Sequence, residues 1–276
     1  MDDFTARKNI SNVSLTNSSP APQALILAAG RGQRLGAHVE QFPKCLLQVG
    51  GRSLLDHQLS MLAAAGIHDV CVVAGYHHNA VARVCLGRAH VINNPKWAET
   101  NSLYSLWLSR HWATGQLVVM NCDVLADQRV LSRLLENTSS SFAFDSNSGK
   151  DEEHMKIELS GRILRSMSKT LHASQVHGEN VGMLHFSAAD ARELFSHAGA
   201  IIGDGGKNMW MAAAVQALAR ENALVGVDVR DLSWIEIDYQ KDLEHARQRI
   251  WPSIEPDNRP GQKRLESRDV QRLYMQ

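Results

Sequence analysis

The chain has 276 residues, of which 44% are hydrophobic and 21% charged, and its 29 basic side chains balance its 29 acidic ones. That length can bury one large core, so a single α/β domain of roughly 200–250 residues is within reach. Zero net charge argues against a nucleic-acid partner, and no apolar run approaches the roughly 20 residues needed to span a bilayer. The four cysteines, Cys45, Cys71, Cys85 and Cys122, lack CxxC spacing and read as reduced, buried thiols of a cytoplasmic protein. Residues 1–22 are polar, rich in Ser and Asn, and have no apolar stretch like that of a signal peptide, so they read as a flexible arm ahead of a domain at 23–250.

The first apolar run, 24–28, has the length of a buried strand and leads into Gly30 and Gly32, with Arg34 and Lys44 following. Glycines at a strand end expose backbone N–H groups, and two cations beside them outline a polyphosphate site. A plain connecting turn is the alternative for the glycines alone. The dinucleotide fingerprint fails because Leu35 stands where a third glycine is required, and Asp56, the acid near the expected distance, falls inside a helical pattern. The P-loop fails because Lys44 follows Pro43 in a longer loop.

The whole string decides more than its glycines. LAAGxGxRL at 27–35, followed by FPKxLLxVGGxxLL at 42–55, resembles the opening signature of the nucleotidyltransferases that activate sugar phosphates and small phosphorylated alcohols with a nucleoside triphosphate. The resemblance implies a Rossmann-like, mixed but mainly parallel sheet with helices on both faces, of the nucleotide-diphospho-sugar transferase type, with an antiparallel extension over the acceptor site. It also implies that Leu27, Ala28, Ala29, Gly30, Arg34, Lys44 and Tyr76 serve the nucleotide, Arg34 and Lys44 acting on its phosphates. From its place in a loop, Lys44 is expected to matter little for folding.

Ser53 then caps an amphipathic helix carrying Leu54, Leu55, Leu59, Leu62 and Ala63, which Gly66 stops. Strands follow at 69–75 and 89–93, an alternation typical of a parallel sheet wound by helices. Asn94-Pro95 breaks the chain, and Thr100 or Asn101 can cap a helix bearing Leu103, Leu106 and Trp107. The segment 93–110 resembles the "NP…TNxxYSL" string of the cytidylyltransferases that act on phosphocholine and phosphonates. That implies contacts to the nucleotide from Asn101, Ser102 and Ser105, and cytosine as the base.

LVVMNCD at 117–123 reads as a buried strand ending on Asp123, at the sheet edge where α/β proteins bind ligands, and a carboxylate there suits magnesium. A helix cap is the alternative, although Asp127 is better placed for it. After a polar loop and a short strand at 142–145, the segments 155–159 and 163–167 flank Ser160-Gly161 as a hairpin. Lys156 and Lys169 there read as solvated edge charges or, through the resemblance, as phosphate ligands, Lys156 ahead of Lys169. GENVGMLHFS at 178–187 resembles the family's "GExxG" strand, which gives Glu179 a role at the acceptor, beside Trp210, with a structural hydrogen-bonding role as the alternative for Glu179.

A helix is expected at 187–198 and a second, Ala- and Met-rich one at 204–222, where Trp210 lacks the acids that often follow it in the family. A strand at 224–229 precedes SWIEIDYQKDLEHARQRI, which resembles the family's closing "WxEIDxxxDLexA" string. Asp238 either joins Asp123 at one magnesium ion or caps a helix, while Asp242 and Glu244 are expected to be merely solvated. Residues 251–276 read as a tail with a short helix. The chain as a whole reads as a cytidylyltransferase using CTP, Mg2+ and a small phosphonate, with phosphocholine or a sugar 1-phosphate as the alternative acceptor and a non-catalytic nucleotide-binding domain as the reading from another class; a homodimer is left open.

Overall fold

Alternate residues of the first strand, β1 (Gln23–Ala28), serve two different cores. Ala24, Ile26 and Ala28 point into one hydrophobic cluster and Leu25 and Leu27 into another, as the two-residue period of a strand requires. A computed structural model describes residues 21–32, 34–35, 42–149 and 151–254. The expected arm at 1–22 therefore lies almost wholly outside the described residues, as does the tail beyond a short terminal helical turn, Trp251–Ile254.

A 3-10 turn at Lys44–Leu46 and a small hairpin, β2 (Gln48–Val49) and β3 (Arg52–Ser53), lead into α1 (Leu54–Ala64). The Ser53 hydroxyl accepts from the Asp56 N–H, so the cap read from sequence is in place. Next come β4 (Val70–Ala74), α2 (His78–Cys85), β5 (His90–Asn93), α3 (Ser102–Leu108), β6 (Leu117–Asn121), β7 (Val124–Ala126) and α4 (Gln128–Leu135). Asn101 caps α3 and Asp127 caps α4. The remainder runs β8 (Ser141–Asp145), β9 (Lys156–Ser160), β10 (Ile163–Ser168), β11 (Gly178–Phe186), α5 (Ala188–Gly203), α6 (Ala212–Glu221), β12 (Val225–Asp228), β13 (Trp234–Glu236) and α7 (Gln240–His245).

Among the described residues nine strands form one sheet, in the order β5-β4-β1-β6-β11-β8-β12-β10-β9. The half from β5 to β6 is parallel; from β11 onward the pairings are antiparallel except β8 with β12. The sheet is mixed, with its parallel character confined mostly to the signature half. Helices α1, α2 and α4 cover one face, and α3, α5 and α6 cover the other. All four cysteines are free and buried, and no helix among the described residues is long and apolar enough to cross a membrane.

Three expected boundaries move, and the first is the helix expected at 187–198, which runs on to Gly203. The run at 204–222 is helical only from Ala212, because Gly205 sits at φ 91° and the stretch before α6 forms turns that leave Met209 and Trp210 half exposed. The strand expected to reach Asp123 stops at Asn121, and Asp123 lies in a tight turn between β6 and β7. A third, smaller core positions the site: Leu35 of the signature loop, Leu47, Val49 and Leu54 pack against Leu125, Ile237 and Leu243. This cluster ties the C-terminal segment back to the start of the domain.

Candidate active site

Three segments far apart in sequence meet at Lys44. Its side chain lies on Gly32, whose φ of 73° and missing Cβ make room, since a Cβ there would fall 2.9 Å from that of Lys44. The ammonium donates to Asp123 Oδ2 at 2.8 Å and to Asp238 Oδ1 at 2.6 Å. Asp238 arrives because β13 pairs antiparallel with β7, Glu236 opposite Val124, and because the Ile237 N–H donates to the Asp123 carbonyl at 3.0 Å. The Asp242 carboxylate then accepts from the backbone N–H groups of Asp238, at 3.0 Å, and Tyr239, at 2.7 Å. Asp242 is thus a structural anchor of the Asp238 turn, where simple solvation was expected. Arg34 adds a second cation, 3.5 Å from Asp238 and 2.9 Å from Glu153.

Burial works against the charge on Lys44, which is only 7% exposed, but the two carboxylates outweigh it and raise its pKa. Asp238 shows the converse: burial pushes its carboxyl up, while Lys44, its hydrogen bond and Arg34 pull it below the ordinary value. Glu236 stands beside them, and Lys44 relieves it only in part. Burial, with Asp123 and Asp238 nearby, pushes its carboxyl up to about 8. A divalent cation fits this cluster on three observations. Asp123, Glu236 and Asp238 each bring a carboxylate oxygen within 4.8 Å of the others. Asp123 Oδ1 is buried and has no hydrogen-bond partner among the described residues. An all-oxygen donor set suits a hard ion such as Mg2+. Glu236 was overlooked in the sequence although a signal was present: it stands two residues before Asp238, on the same side of an extended segment.

The cluster forms the floor of a cleft of about 310 Å3. Leu27, Ala29, Gly30, Arg34, Asn101, Ser102 and Trp210 line it, as the sequence reading expects. Asn101 and Ser102 also hold structure, since Asn101 caps α3 and the Ser102 hydroxyl accepts from the Met211 N–H at 2.8 Å. Ala28 is buried in the sheet below the cleft. Tyr76 does not line the cleft; its ring lies 5.1 Å from that of Trp97, which does.

The structure does not bring Lys156 to the cleft. Its side chain does leave the Met155 and Ile157 side of the strand, but that side is covered: Lys156 is 8% exposed and its ammonium donates to the carbonyls of Lys169, at 2.8 Å, and Glu152, at 3.4 Å. Lys169 lines the cleft instead, 3.2 Å from Glu153 and 5.2 Å from the Trp210 ring. Glu179 faces a second cavity of about 260 Å3, which shares Glu153, Glu236 and Asp238 with the first. Asp145, Asp151 and Asp242 also line this second cavity, with Trp234 and Tyr239 as aromatic walls and Lys241 as its one lysine among the described residues.

Glu179 is 3% exposed; it accepts from the Ser148 hydroxyl and lies 3.0 Å from His154 Nδ1. Burial pushes its carboxyl up to about 7 against the opposing Ser148 hydrogen bond. An acid raised in the fold from 4.5 to about 7 binds more protons folded than unfolded between those values. Stability is therefore greatest below the lower value and falls as pH rises through the upper one. Thermal melting of Glu179→Gln, followed from pH 4.5 to 8 in chelator, is expected to show a flatter decline than the wild type. An unchanged slope would assign the decline to other groups.

The family model for the MobA-like NTP transferase domain matches residues 24–220, which hold every strand from β1 to β11. The chain belongs to the MobA-like NTP transferase family. It is a nucleotidyltransferase. A CTP:phosphoglutamine cytidylyltransferase of Campylobacter jejuni is 25% identical over 250 residues, spanning 80% of this chain and 97% of the relative. A CMP-5'-(3-aminopropyl)phosphonate synthase of Streptomyces rubellomurinus is 36% identical over 117 residues, 41% of this chain but only 19% of that longer protein. A choline-phosphate cytidylyltransferase of Streptococcus pneumoniae is 33% identical over 99 residues, covering 35% of this chain and 43% of the relative. The solved CTP:phosphocholine cytidylyltransferase of Streptococcus pneumoniae shares the fold, with a TM-score of 0.68 at 20% identity over 82% of this chain and 97% of that one.

Proposed function

We propose that this nucleotidyltransferase transfers CMP from CTP to a small phosphonate, 2-aminoethylphosphonate ahead of 2-hydroxyethylphosphonate, and releases pyrophosphate. The observation that carries the reading is the cluster of Lys44 with Asp123, Glu236 and Asp238 on the floor of a cleft that opens into a carboxylate-lined cavity. The first relies on charge neutralisation and suits a triphosphate. The second suits an acceptor that carries an amine. The three relatives named above support the same class, since each is named for a cytidylyl product or donor and for a nitrogen-bearing phosphorylated or phosphonate compound.

The chemistry asks little of the protein beyond position and charge. An acceptor oxygen, already ionised at neutral pH, forms a bond to the α-phosphorus as the bond to the departing pyrophosphate oxygen breaks in line. No general base is required. Lys44 and Arg34 hold the triphosphate, the strand-end backbone at Ala29 and Gly30 lets it approach closely, and Asn101 and Ser102 border the nucleotide's part of the cleft. Lys169, at the Trp210 end, takes the acceptor phosphonate in place of Lys156. Asp123, Glu236 and Asp238 would hold the magnesium ion, which when bound supplies Lewis-acid neutralisation of the phosphoryl oxygens.

Phosphocholine stands as a second reading because of Trp234 and Tyr239. The acids missing after Trp210 are replaced by those of the second cavity, and a quaternary ammonium gains up to about 2 kcal/mol from an aromatic face once desolvated. A primary ammonium also hydrogen-bonds carboxylates, which a trimethylated one cannot do, and this favours the aminophosphonate. Calorimetric titration with Mg2+ and a non-hydrolysable CTP analogue tests the choice. 2-Aminoethylphosphonate is expected to bind more tightly than both 2-hydroxyethylphosphonate and phosphocholine; tighter binding of phosphocholine would reverse the assignment.

A further inference from the structure

We propose that Gln58 is a positioning residue for the metal-binding carboxylate: its side-chain amide pins the turn that presents Asp123. Gln58 lies on the buried face of α1, among Leu55, Leu59 and Leu62, and is only 1% exposed. A polar side chain in that row needs a reason. Its Nε2 donates to the Asn121 carbonyl at 2.7 Å and to the Val124 carbonyl at 3.0 Å. Those carbonyls stand on either side of Cys122 and Asp123, so one amide spans the turn from beneath. Its Oε1 is buried without a hydrogen-bond partner among the described residues. The side chain thus leaves one polar atom unsatisfied while both of its N–H bonds go to the turn, a pattern that packing alone does not call for.

The route to the site is short and made of rigid parts. Across the β2–β3 hairpin, helix α1 is joined to the segment that carries Lys44 by the Leu54 N–H, which donates to the Leu47 carbonyl at 3.1 Å. Gln58 therefore couples the element bearing Lys44 to the turn bearing Asp123, whose own carbonyl holds the Asp238 segment through Ile237. Loss of the amide frees the turn carbonyls and lets the Asp123 carboxylate leave the position in which it meets Glu236 and Asp238. The inference rests on the reading of Asp123 as a metal ligand in nucleotidyl transfer.

The test compares Gln58→Met, which keeps length and volume, with Gln128→Leu, which removes a hydrogen bond of the same kind. The Gln128 Nε2 donates to the Met61 carbonyl at 3.1 Å, on the same helix but away from the turn. Mn2+ binding to the nucleotide-free protein is measured by water-proton relaxation, alongside thermal melting and steady-state kinetics. Gln58→Met is expected to weaken Mn2+ binding by roughly tenfold to a hundredfold, the usual effect of removing a partner that orients a ligand. Its kcat falls with the metal affinity while the KM for CTP stays within about threefold, and Gln128→Leu leaves Mn2+ binding at the wild-type level.

Wild-type affinity for Mn2+ in Gln58→Met would overturn the inference while leaving the proposed function intact. Equal weakening in both variants would reduce Gln58 to a general support of the helix. No Mn2+ binding by the wild type would overturn the ligand reading and the inference with it. Should Gln58→Met fail to fold, Gln58→Glu is read in the same way, and failure of both to fold would mark Gln58 as a packing residue and end the proposal.

Discussion

Lys44→Ala is expected to lower kcat by about 10²–10³-fold, the scale for removing a preorganised donor from a site where charge develops. It is also expected to lower stability, contrary to what a lysine after Pro43 in a loop suggests. Lys44 is the buried counter-charge of Asp123 and Asp238, and its loss leaves two partly buried carboxylates beside Glu236 with no cation between them. Breaking a buried pair costs roughly 3–5 kcal/mol, and the partial exposure of Asp123 and Asp238 places this case toward the lower end. Added Mg2+ should restore part of the melting temperature because it supplies the missing charge at the same oxygens. Thermal melting with and without Mg2+, set beside steady-state kinetics, checks this. A variant that melts like the wild type in chelator would contradict the ion-pair account.

Asp123→Asn and Asp238→Asn should each reduce turnover by several kcal/mol of transition-state stabilisation, with the requirement for a divalent cation shifted to higher concentration. Asn keeps the shape of the side chain and loses its charge. Glu236→Gln is expected to do less, because burial and its two acidic neighbours push its carboxyl well above the ordinary value, so that a cation binding there must first displace a proton. Metal titrations of kcat for the three variants separate these roles. Near-normal rates at low Mg2+ in either Asp variant would remove that residue from the ligand set.

Much of this site is legible in the chain because its parts are marked locally. The glycines after β1, the Pro-Lys turn, and acids that follow apolar runs each stand out, and the third core explains why they meet: Leu35, Leu125 and Ile237 pack together next to Arg34, Asp123 and Asp238. Caps at Ser53 and Asp127 are equally local and were equally readable. What sequence does not reveal is which element covers a given side chain. Alternation places Lys156 on the far side of β9 from Ile157, but only the tertiary structure shows the Lys169 carbonyl waiting there and the Lys169 ammonium in the cleft. Asp242 looks solvated until the backbone of the Asp238 turn bends toward it. The turns at 204–211 are masked by the alanines that open α6 directly after them, although Gly205 and Gly206 are poor helix formers and Gly205 takes the left-handed conformation.

The central claim is transfer of a cytidylyl group at the Lys44, Asp123 and Asp238 cluster. Its most direct test is pyrophosphate release with each of the four ribonucleoside triphosphates, in Mg2+, against 2-aminoethylphosphonate, 2-hydroxyethylphosphonate, phosphocholine and glucose 1-phosphate. Release with CTP and 2-aminoethylphosphonate is expected to exceed that of every other pairing and to be abolished by chelator. Release that is fastest with glucose 1-phosphate, or with a purine triphosphate, or that persists in chelator, would contradict it.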